Sequence, residues 1–164
     1  MRTDFSTLPD NARVWVFAAR DPVRGERADL LLREVDAWLD AWKAHGTPLA
    51  CARDWRDDHF LAIGVDQSVA GASGCSIDAL FRVFQALQPA LGTTLLGGGR
   101  VFYRDAAGIV RGVDRPAFAR LRESGAVHDA TPVFDTTLTD AAGWRRGFER
   151  PLAESWHRQV AAPR

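Results

Sequence analysis

The segment from Asp66 to Asp78 combines residue types that bind anions. Small and hydroxyl-bearing residues, among them Ser73, Gly74 and Ser76, lead into an apolar pattern typical of a helix. The first turn of a helix has backbone N–H groups without partners and carries the positive end of the helix dipole, so it attracts negative charge. The candidate contacts for a small anionic ligand or a protein partner are therefore Asp66, Ser73, Gly74, Ser76 and Asp78.

Cys75 gives the same helix start a second interpretation. A thiol at a helix N-terminus loses its proton more readily, because the dipole stabilises the thiolate. Cys75 would then be a nucleophile or a redox centre, with a histidine as the usual base. Only the fold could bring a histidine close, since those in the sequence are His45, His59, His128 and His157. In a plainer alternative, Ser73 caps the helix, Asp78 complements its dipole and Cys75 packs.

Nucleotide-hydrolysing and metal-dependent chemistry have no motif in the chain. Gly-Lys-Ser and Gly-Lys-Thr are absent and the single lysine, Lys43, falls within a predicted helix, so a Walker-type ATPase is not expected. No His-x-His or His-x-x-x-His pair occurs, and Cys51 and Cys75 are 24 positions apart, which is neither a zinc pattern nor a disulfide framework. We therefore expect no metal, no cofactor and two free thiols.

The charges balance, with 21 Lys and Arg against 21 Asp and Glu. A chain of zero net charge does not have the basic character of a nucleic-acid binder, so no nucleic-acid partner is expected. All but one of the basic residues are arginines, scattered through the chain in a way that a GC-rich coding bias explains. Arg53 and Arg100 are the two arginines retained as candidate ligand contacts.

The apolar period predicts the elements that would position these residues in the first part of the chain. They are a strand at 14–18, a helix at 26–45, strands at 49–55 and 59–65 around a polar turn, and a helix from about residue 73 that Pro89 and Gly92 end. Trp38 and Trp42 continue the apolar stripe of the first helix, so both are predicted core residues. His59 is expected to be solvated in the polar turn.

The second part of the chain has shorter elements. They are a hairpin of strands at 100–104 and 108–111, a short helix from Asp114 to Gly125, a strand at 131–135 and a helix within 148–160 opened by Pro151. Asp114 suits an N-cap and Pro116 suits a first helical turn.

The order of elements through Arg104 is βαββαβ, which indicates an α+β fold. A ferredoxin-like sheet with helices on one face is the natural arrangement of that order, extended by a C-terminal hairpin-helix-strand unit. We predict one domain over residues 1–164, with its core at about 12–104 and an extension or satellite at about 105–164. A homodimer through an exposed sheet face or edge is compatible with this fold.

The compartment follows from the absence of apolar runs in the sequence. The first ten residues have no apolar core like that of a signal peptide. No run reaches the roughly 18 residues that a membrane helix needs. We therefore expect a cytoplasmic protein without a membrane partner.

Several short motifs resemble an uncharacterised bacterial family of about this length. They are Asp4-Phe5, Leu8-Pro9, Arg13-Val-Trp-Val16, Trp42-x-x-His45-Gly46, Gly74-Cys-Ser-Ile-Asp78 and Ser155-Trp-His157. Gly-Cys-Ser-Ile-Asp is the most specific of them. Members of the family are often labelled "ABC transporter ATPase", but this chain lacks the Walker and signature loops that the label implies. The resemblance therefore implies no established activity.

A second resemblance covers residues 103–144 and is similar to small GYF-like modules. The matching positions are Tyr103, Gly108, Phe118, Leu121, Gly125, Val127, Thr131, Val133-Phe134 and Trp144. Relatives of those modules dock proline-rich peptides on aromatic surfaces, which implies peptide binding here. The chain departs from the modules because it lacks their Gly-Pro after the first strand.

Two functions follow from these patterns. The first is a non-enzymatic binding or adaptor protein, with a small anionic ligand or a protein partner at residues 66–78. Arg53 and Arg100 would contribute positive charge to that site. The alternative is a thiol-dependent enzyme that uses Cys75.

Overall fold

The computed structural model describes residues 1–44, 46–68 and 74–160, except the side chains at 44, 47–48 and 74–76. The chain forms two compact units. Unit 1 comprises Met1–Leu96 and Thr137–Arg145, and unit 2 comprises Gly97–Thr136 and Arg146–Arg164. Each unit has its own antiparallel sheet with helices, which confirms the predicted α+β class.

Unit 1 is built on a three-stranded sheet of order β1-β5-β4, in which both neighbouring pairs are antiparallel. Its elements are β1 (Arg13–Ala18), α1 (Glu26–Ala41), β2 (Lys43–Ala44), β3 (Thr47–Pro48), β4 (Cys51–Arg56), β5 (Phe60–Val65) and α2 (Gly74–Leu91). The strands β2 and β3 pair only with each other. A 3₁₀ turn at Phe5–Thr7 precedes β1.

The β4–β5 hairpin was predicted from its polar turn, and the local backbone shows why it forms. Asp57 and Asp58 both have positive φ, 54° and 57°. Two consecutive residues of that kind make the tight turn whose twist matches a hairpin, and aspartate tolerates the left-handed region better than most residues do. The N–H of His59 then donates to the carbonyl of Arg56 at 3.1 Å, and Arg53 lies opposite Ile63.

The sheet of unit 1 is covered on both faces. The helices bury one face through a core that includes Phe17, Leu31, Ile63 and Phe84. The 3₁₀ turn covers the opposite face, where a Cβ at Gly64 would lie 2.5 Å from Cδ1 of Leu8 and 3.0 Å from Cε2 of Phe5. Glycine at 64 therefore allows this close approach. Trp144 also packs on this second face, where its indole N–H donates to Asp54 at 2.8 Å and its ring lies 6.5 Å from that of Phe5, so the prediction of helices on one face holds for α1 and α2 alone.

The strand predicted to complete a ferredoxin-like sheet lies elsewhere. Arg100–Arg104 belongs to the sheet of unit 2 and does not pair with β1. The start of β1 is paired instead with residues before α4 (Ala141–Gly147), since the N–H of Val14 donates to the carbonyl of Thr139 at 2.9 Å. Three consecutive glycines at 97–99 precede the strand and give the chain the freedom to leave unit 1.

Unit 2 is a four-stranded sheet of order β7-β6-β8-β9. Its elements are β6 (Arg100–Arg104), β7 (Val110–Asp114), α3 (Arg115–Glu123), β8 (Pro132–Phe134), β9 (Glu149–Pro151) and α5 (His157–Val160). The predicted hairpin, helix and strand are present in that order. Asp114 caps α3 by accepting a hydrogen bond from the N–H of Ala117 at 2.8 Å, and Phe118 is fully buried in the core.

Several predicted boundaries were wrong. The helix α1 ends at Ala41 rather than at residue 45, because Trp42 is extended (ψ 123°). Pro89 lies inside α2, and Gly92 ends that helix with a φ of +68°. Residues 148–160 form β9, a 3₁₀ turn at Leu152–Glu154 and the short α5 instead of one helix. No helix in the described ranges is long and apolar enough to cross a membrane.

Candidate functional site

The predicted anion segment is only partly within the described residues. Ser73 lies outside them, as do the side chains of Gly74, Cys75 and Ser76. The backbone of these last three forms the first turn of α2, and Asp78 is exposed in the turn that follows. The helix start is therefore where the sequence predicts it, and anion binding there stays a prediction.

Asp66 has a local structural task. It follows β5 directly, and its Oδ1 accepts a hydrogen bond from the N–H of Ser68 at 2.9 Å. Hydrogen bonds from Ser68 lower the pKa of the Asp66 carboxyl. The side chain thus makes the turn that begins the loop after β5.

Arg53 is held by an aspartate of α1. Its Nε and Nη2 donate to the two carboxylate oxygens of Asp36 at 2.6 and 2.9 Å, and Arg2 donates to the same carboxylate at 2.7 Å. Burial raises the pKa of Asp36, but the hydrogen bonds from Arg53 and Arg2 outweigh it, and the net shift is downward. The guanidinium of Arg53 is therefore committed to a bidentate pair with α1.

Arg100 belongs to unit 2. Its Nη1 donates to the carbonyl of Gly112 at 2.9 Å, across the β6–β7 hairpin. The contact supports the hairpin and gives Arg100 a structural partner. It does not join Arg53 or the 66–78 segment through any hydrogen bond in the described part of the chain.

At its first residue, Cys51, the outer edge of β4 pairs with the N-terminal residues of the chain. The N–H of Cys51 donates to the carbonyl of Met1 at 3.2 Å, and the N–H of Thr3 donates to the carbonyl of Cys51 at 2.8 Å. The chain then turns away, because Asp4 caps the 3₁₀ turn at Phe5–Thr7. The added strand therefore covers only the first residue of β4.

The rest of this edge is open. Alternate residues of a strand turn their N–H and C=O to the same side, so Arg53 and Trp55 face outward as Cys51 does. Neither residue has a backbone partner there within the ranges 1–44, 46–68 and 74–160. The open edge, defined as the outward backbone groups of Arg53 and Trp55, adjoins a recess of about 430 Å³ between Thr3–Phe5 and Arg53–Asp54.

Cys51, one of the two cysteines, lies in the core of unit 1. The thiol of Cys51 is fully buried and lies 3.5 Å from the carbonyl oxygen of Leu39. Burial raises the pKa of this thiol, so Cys51 is not a reactive thiolate at neutral pH. Thiol chemistry at Cys75 stays a prediction, because its side chain is outside the described residues.

Two histidines are buried. His59 is 4% exposed with its Nδ1 3.1 Å from the carbonyl of Ala19, so the prediction of a solvated histidine was wrong. In unit 2, Nδ1 of His157 lies 2.6 Å from Oγ of Ser155. Both residues are buried, so this serine–histidine pair is not accessible to a substrate in the folded state. His45 lies outside the described residues.

Metal binding was not expected from the sequence. Among the described residues, no three His, Cys, Asp or Glu side chains come together in a group that could hold a metal ion.

The chain was also compared with protein families, with curated proteins and with solved structures. No family model, curated protein or solved structure matches it.

Proposed function

We propose that this chain is a binding protein that docks an extended segment of a partner protein along the open edge. The observation that carries the proposal is the outward pair of N–H and C=O groups at Arg53 and Trp55, which have no partner in the described ranges. An exposed strand edge is a template for a further strand, and the new backbone hydrogen bonds supply affinity.

The surroundings of the open edge favour such docking. The same edge already accepts Met1–Thr3 as a parallel strand at Cys51, and the recess begins where that strand turns away. Asp36 holds the guanidinium of Arg53 against α1, while the backbone of Arg53 faces outward. A second copy of the chain would use the same groups, and this is the form of homodimer that the edge supports.

Finer parts of the interpretation are proposals as well. Unit 1 has the strand order β1-β5-β4, and along the chain α1 follows β1 and precedes β4. This order supports a ferredoxin-like arrangement without its fourth strand. The start of α2 at Gly74 supports anion binding at residues 66–78. Membership of the uncharacterised bacterial family, peptide docking of the GYF-like kind, a cytoplasmic location and thiol catalysis at Cys75 rest on the sequence alone.

The test uses two substitutions at one position. The proline in Arg53→Pro removes the outward N–H but leaves the β4–β5 ladder intact, since edge positions tolerate proline. Arg53→Ala removes the same ion pair with Asp36 and keeps the N–H, so it is the matched control. Displayed random peptides selected on the wild type should bind Arg53→Ala nearly as well, and should lose about tenfold or more on Arg53→Pro.

Hydrogen exchange locates the bound peptide. The amides of Arg53 and Trp55 should exchange fast in the free protein and gain protection when a selected peptide is added, while those of Ala52 and Asp54 should be slow throughout. Equal binding by the proline and alanine variants would contradict the proposal. Sedimentation of the wild type against Arg53→Pro distinguishes a second copy from a foreign segment.

A further inference from the structure

Three residues at the start of the chain form a short strand against the edge of β4. Arg2 lies opposite Cys51 in parallel pairing, and the N–H of Thr3 donates to the carbonyl of Cys51 at 2.8 Å. The N–H of Cys51 donates in turn to the carbonyl of Met1 at 3.2 Å. Met1–Thr3, here called the N-terminal strand, therefore uses the row of outward backbone groups that continues into the open edge. It shows how this edge binds an extended segment.

The side chain of Arg2 adds a charge contact to this backbone pairing. Its Nη1 lies 2.7 Å from Oδ2 of Asp36, and its Nε lies 3.4 Å from Oδ1 of Asp40. The two aspartates are four residues apart on α1, so they lie on the same face of that helix. Arg53 holds the other carboxylate oxygen of Asp36 at 2.6 Å. Asp36 therefore keeps a cationic partner if Arg2 leaves, which avoids an unpaired charge at a partly buried position.

Two recesses adjoin the N-terminal strand. The recess of about 430 Å³ lies between this strand, the 3₁₀ turn and β4. A second recess of about 540 Å³ lies along α1. Both are lined by Arg2, Asp36 and Arg53, and of these Arg2 alone belongs to the N-terminal strand. Departure of Arg2 would therefore remove the one shared wall that does not belong to α1 or β4, which gives a longer segment room beside the edge.

The N-terminal strand is attached separately from the residues that follow it. The side chain of Met1 is 73% exposed, so the strand buries little apolar surface. Its attachments are mainly backbone hydrogen bonds and the partly exposed ion pairs of Arg2, each of which contributes modestly. Phe5 in the 3₁₀ turn is buried, and its carbonyl accepts a hydrogen bond from Arg145 at 2.8 Å. Displacement of the strand would therefore stop before the 3₁₀ turn and leave the core of unit 1 intact.

We propose that the N-terminal strand is an internal substitute for the partner segment, and that docking displaces it. The partner is an extended segment of another protein that pairs in parallel with β4 from Cys51 to Trp55. It carries an arginine opposite Cys51, which takes the place of Arg2 between Asp36 and Asp40. This inference rests on the function proposed above, because it names the chemistry of the docked segment and the contact that restrains docking.

The probe is the peptide Met-Arg-Thr-Val-Thr-Val-Thr, labelled with a fluorophore at its last residue. It repeats the sequence of residues 1–3 and then continues with residues that favour a strand, where the chain itself turns away at Asp4. The same peptide with glutamine in place of its arginine is the ligand control. Fluorescence anisotropy with the full chain measures both affinities. We expect the arginine peptide to bind about fivefold more tightly, as a partly exposed ion pair allows.

Matched variants separate the parts of the proposal. Arg2→Ala weakens the N-terminal strand, so it should bind the arginine peptide about two- to fivefold more tightly than the wild type. Arg24→Ala removes another exposed arginine from an ion pair of 2.7 Å and should leave the affinity unchanged. Asp36→Asn should lower the preference for the arginine peptide to less than about twofold, whereas Glu34→Gln, at an exposed position of α1 outside both recesses, should retain it. Asp40→Asn gives the same comparison if Asp36→Asn does not fold.

Hydrogen exchange of single amides distinguishes this proposal from the docking edge itself. With the arginine peptide, the amide of Thr3 should lose protection while those of Arg53 and Trp55 gain it. Protection gained at Arg53 and Trp55 without a change at Thr3 would overturn the displacement and keep the docking edge. Equal binding of the two peptides, or equal binding by Arg2→Ala and Arg24→Ala, would also overturn it. Without any gain at Arg53 and Trp55, both proposals would be contradicted.

Discussion

Among the described residues, one buried side-chain polar atom lacks a hydrogen-bond partner, and it lies in unit 1 rather than in unit 2. In unit 1 the indole N–H of Trp42 has no acceptor within the described ranges. In unit 2 the indole N–H of Trp156 donates to Asp135 at 3.0 Å, and His157 is hydrogen-bonded to Ser155 at 2.6 Å. A buried polar group that is satisfied internally stabilises the fold, whereas an unsatisfied one carries the cost of its lost hydrogen bond to water.

The strand edges differ in the same sense. In unit 1 the backbone of Arg53 and Trp55 is open to a further strand. In unit 2 the edge strand β9 contains Pro151, and proline has no N–H to offer an added strand. Arg100 also occupies the carbonyl of Gly112 on β7. The comparison favours unit 1 as the place of recognition and unit 2 as its scaffold.

The largest expected effect tests the scaffold. Phe118 is fully buried in unit 2, with its ring centroid 6.0 Å from that of Tyr103 and 6.3 Å from that of His157. Phe118→Ala should lower the free energy of unfolding by about 3–5 kcal/mol in urea denaturation, because it leaves a cavity in the core. Ile109→Ala, at an exposed position of the same unit, should stay within about 0.5 kcal/mol. A small effect of Phe118→Ala would mean that unit 2 is loosely packed, which contradicts the scaffold.

A second, somewhat smaller effect concerns pH. Burial lowers the pKa of His157 to about 4; Asp135 opposes this shift and Arg115 adds to it. The folded-state pKa lies below the unfolded value of 6.5, so this stabilising contribution is complete above pH 6.5 and is lost as the pH falls towards 4. The loss should approach about 3 kcal/mol in acid, measured by urea unfolding at several pH values.

His157→Gln supplies the control for that pH dependence. The variant removes the titrating group, so the part of the acid destabilisation due to His157 should disappear while the response of the carboxylates remains. An unchanged slope of unfolding free energy against pH between 6.5 and 4 would show that His157 is not held neutral by the fold. That outcome would weaken the contrast between the hydrogen-bonded Trp156 and His157 of unit 2 and the Trp42 donor of unit 1.

Local patterns predicted most elements because the interactions that form them are local. Two aspartates between apolar runs indicate the β4–β5 hairpin, and Asp114 before Pro116 indicates the start of α3. The sheet to which Arg100–Arg104 belongs could not be predicted in this way. It depends on pairing with Val133 and Phe134, which lie about 30 positions further along the chain.

The candidate sites show the same limit. Arg53 was a candidate from the sequence, but its pairing with Asp36 on α1 and the open edge beside it arise only when β4 packs against its neighbours. Trp38 and Trp42 were predicted core residues, and for Trp42 the burial agrees. Nothing in their helical spacing shows that Trp15 of β1 joins them, or that the Trp42 indole N–H has no acceptor in the described part of the chain.

The smallest expected effect compares the two units directly through one substitution. Trp156→Phe removes the hydrogen bond to Asp135 and part of the ring stacked 3.9 Å from His157, which should lower the free energy of unfolding by about 1–2 kcal/mol. Trp42→Phe removes ring volume from a more buried site, but it also removes a donor that has no acceptor among the described residues, so the two changes offset each other. We expect Trp42→Phe to cost about 1 kcal/mol or less, below Trp156→Phe, although burial alone predicts the reverse order. If urea denaturation gives the larger loss for Trp42→Phe, the Trp42 indole is a satisfied core group, and the contrast between the units does not hold.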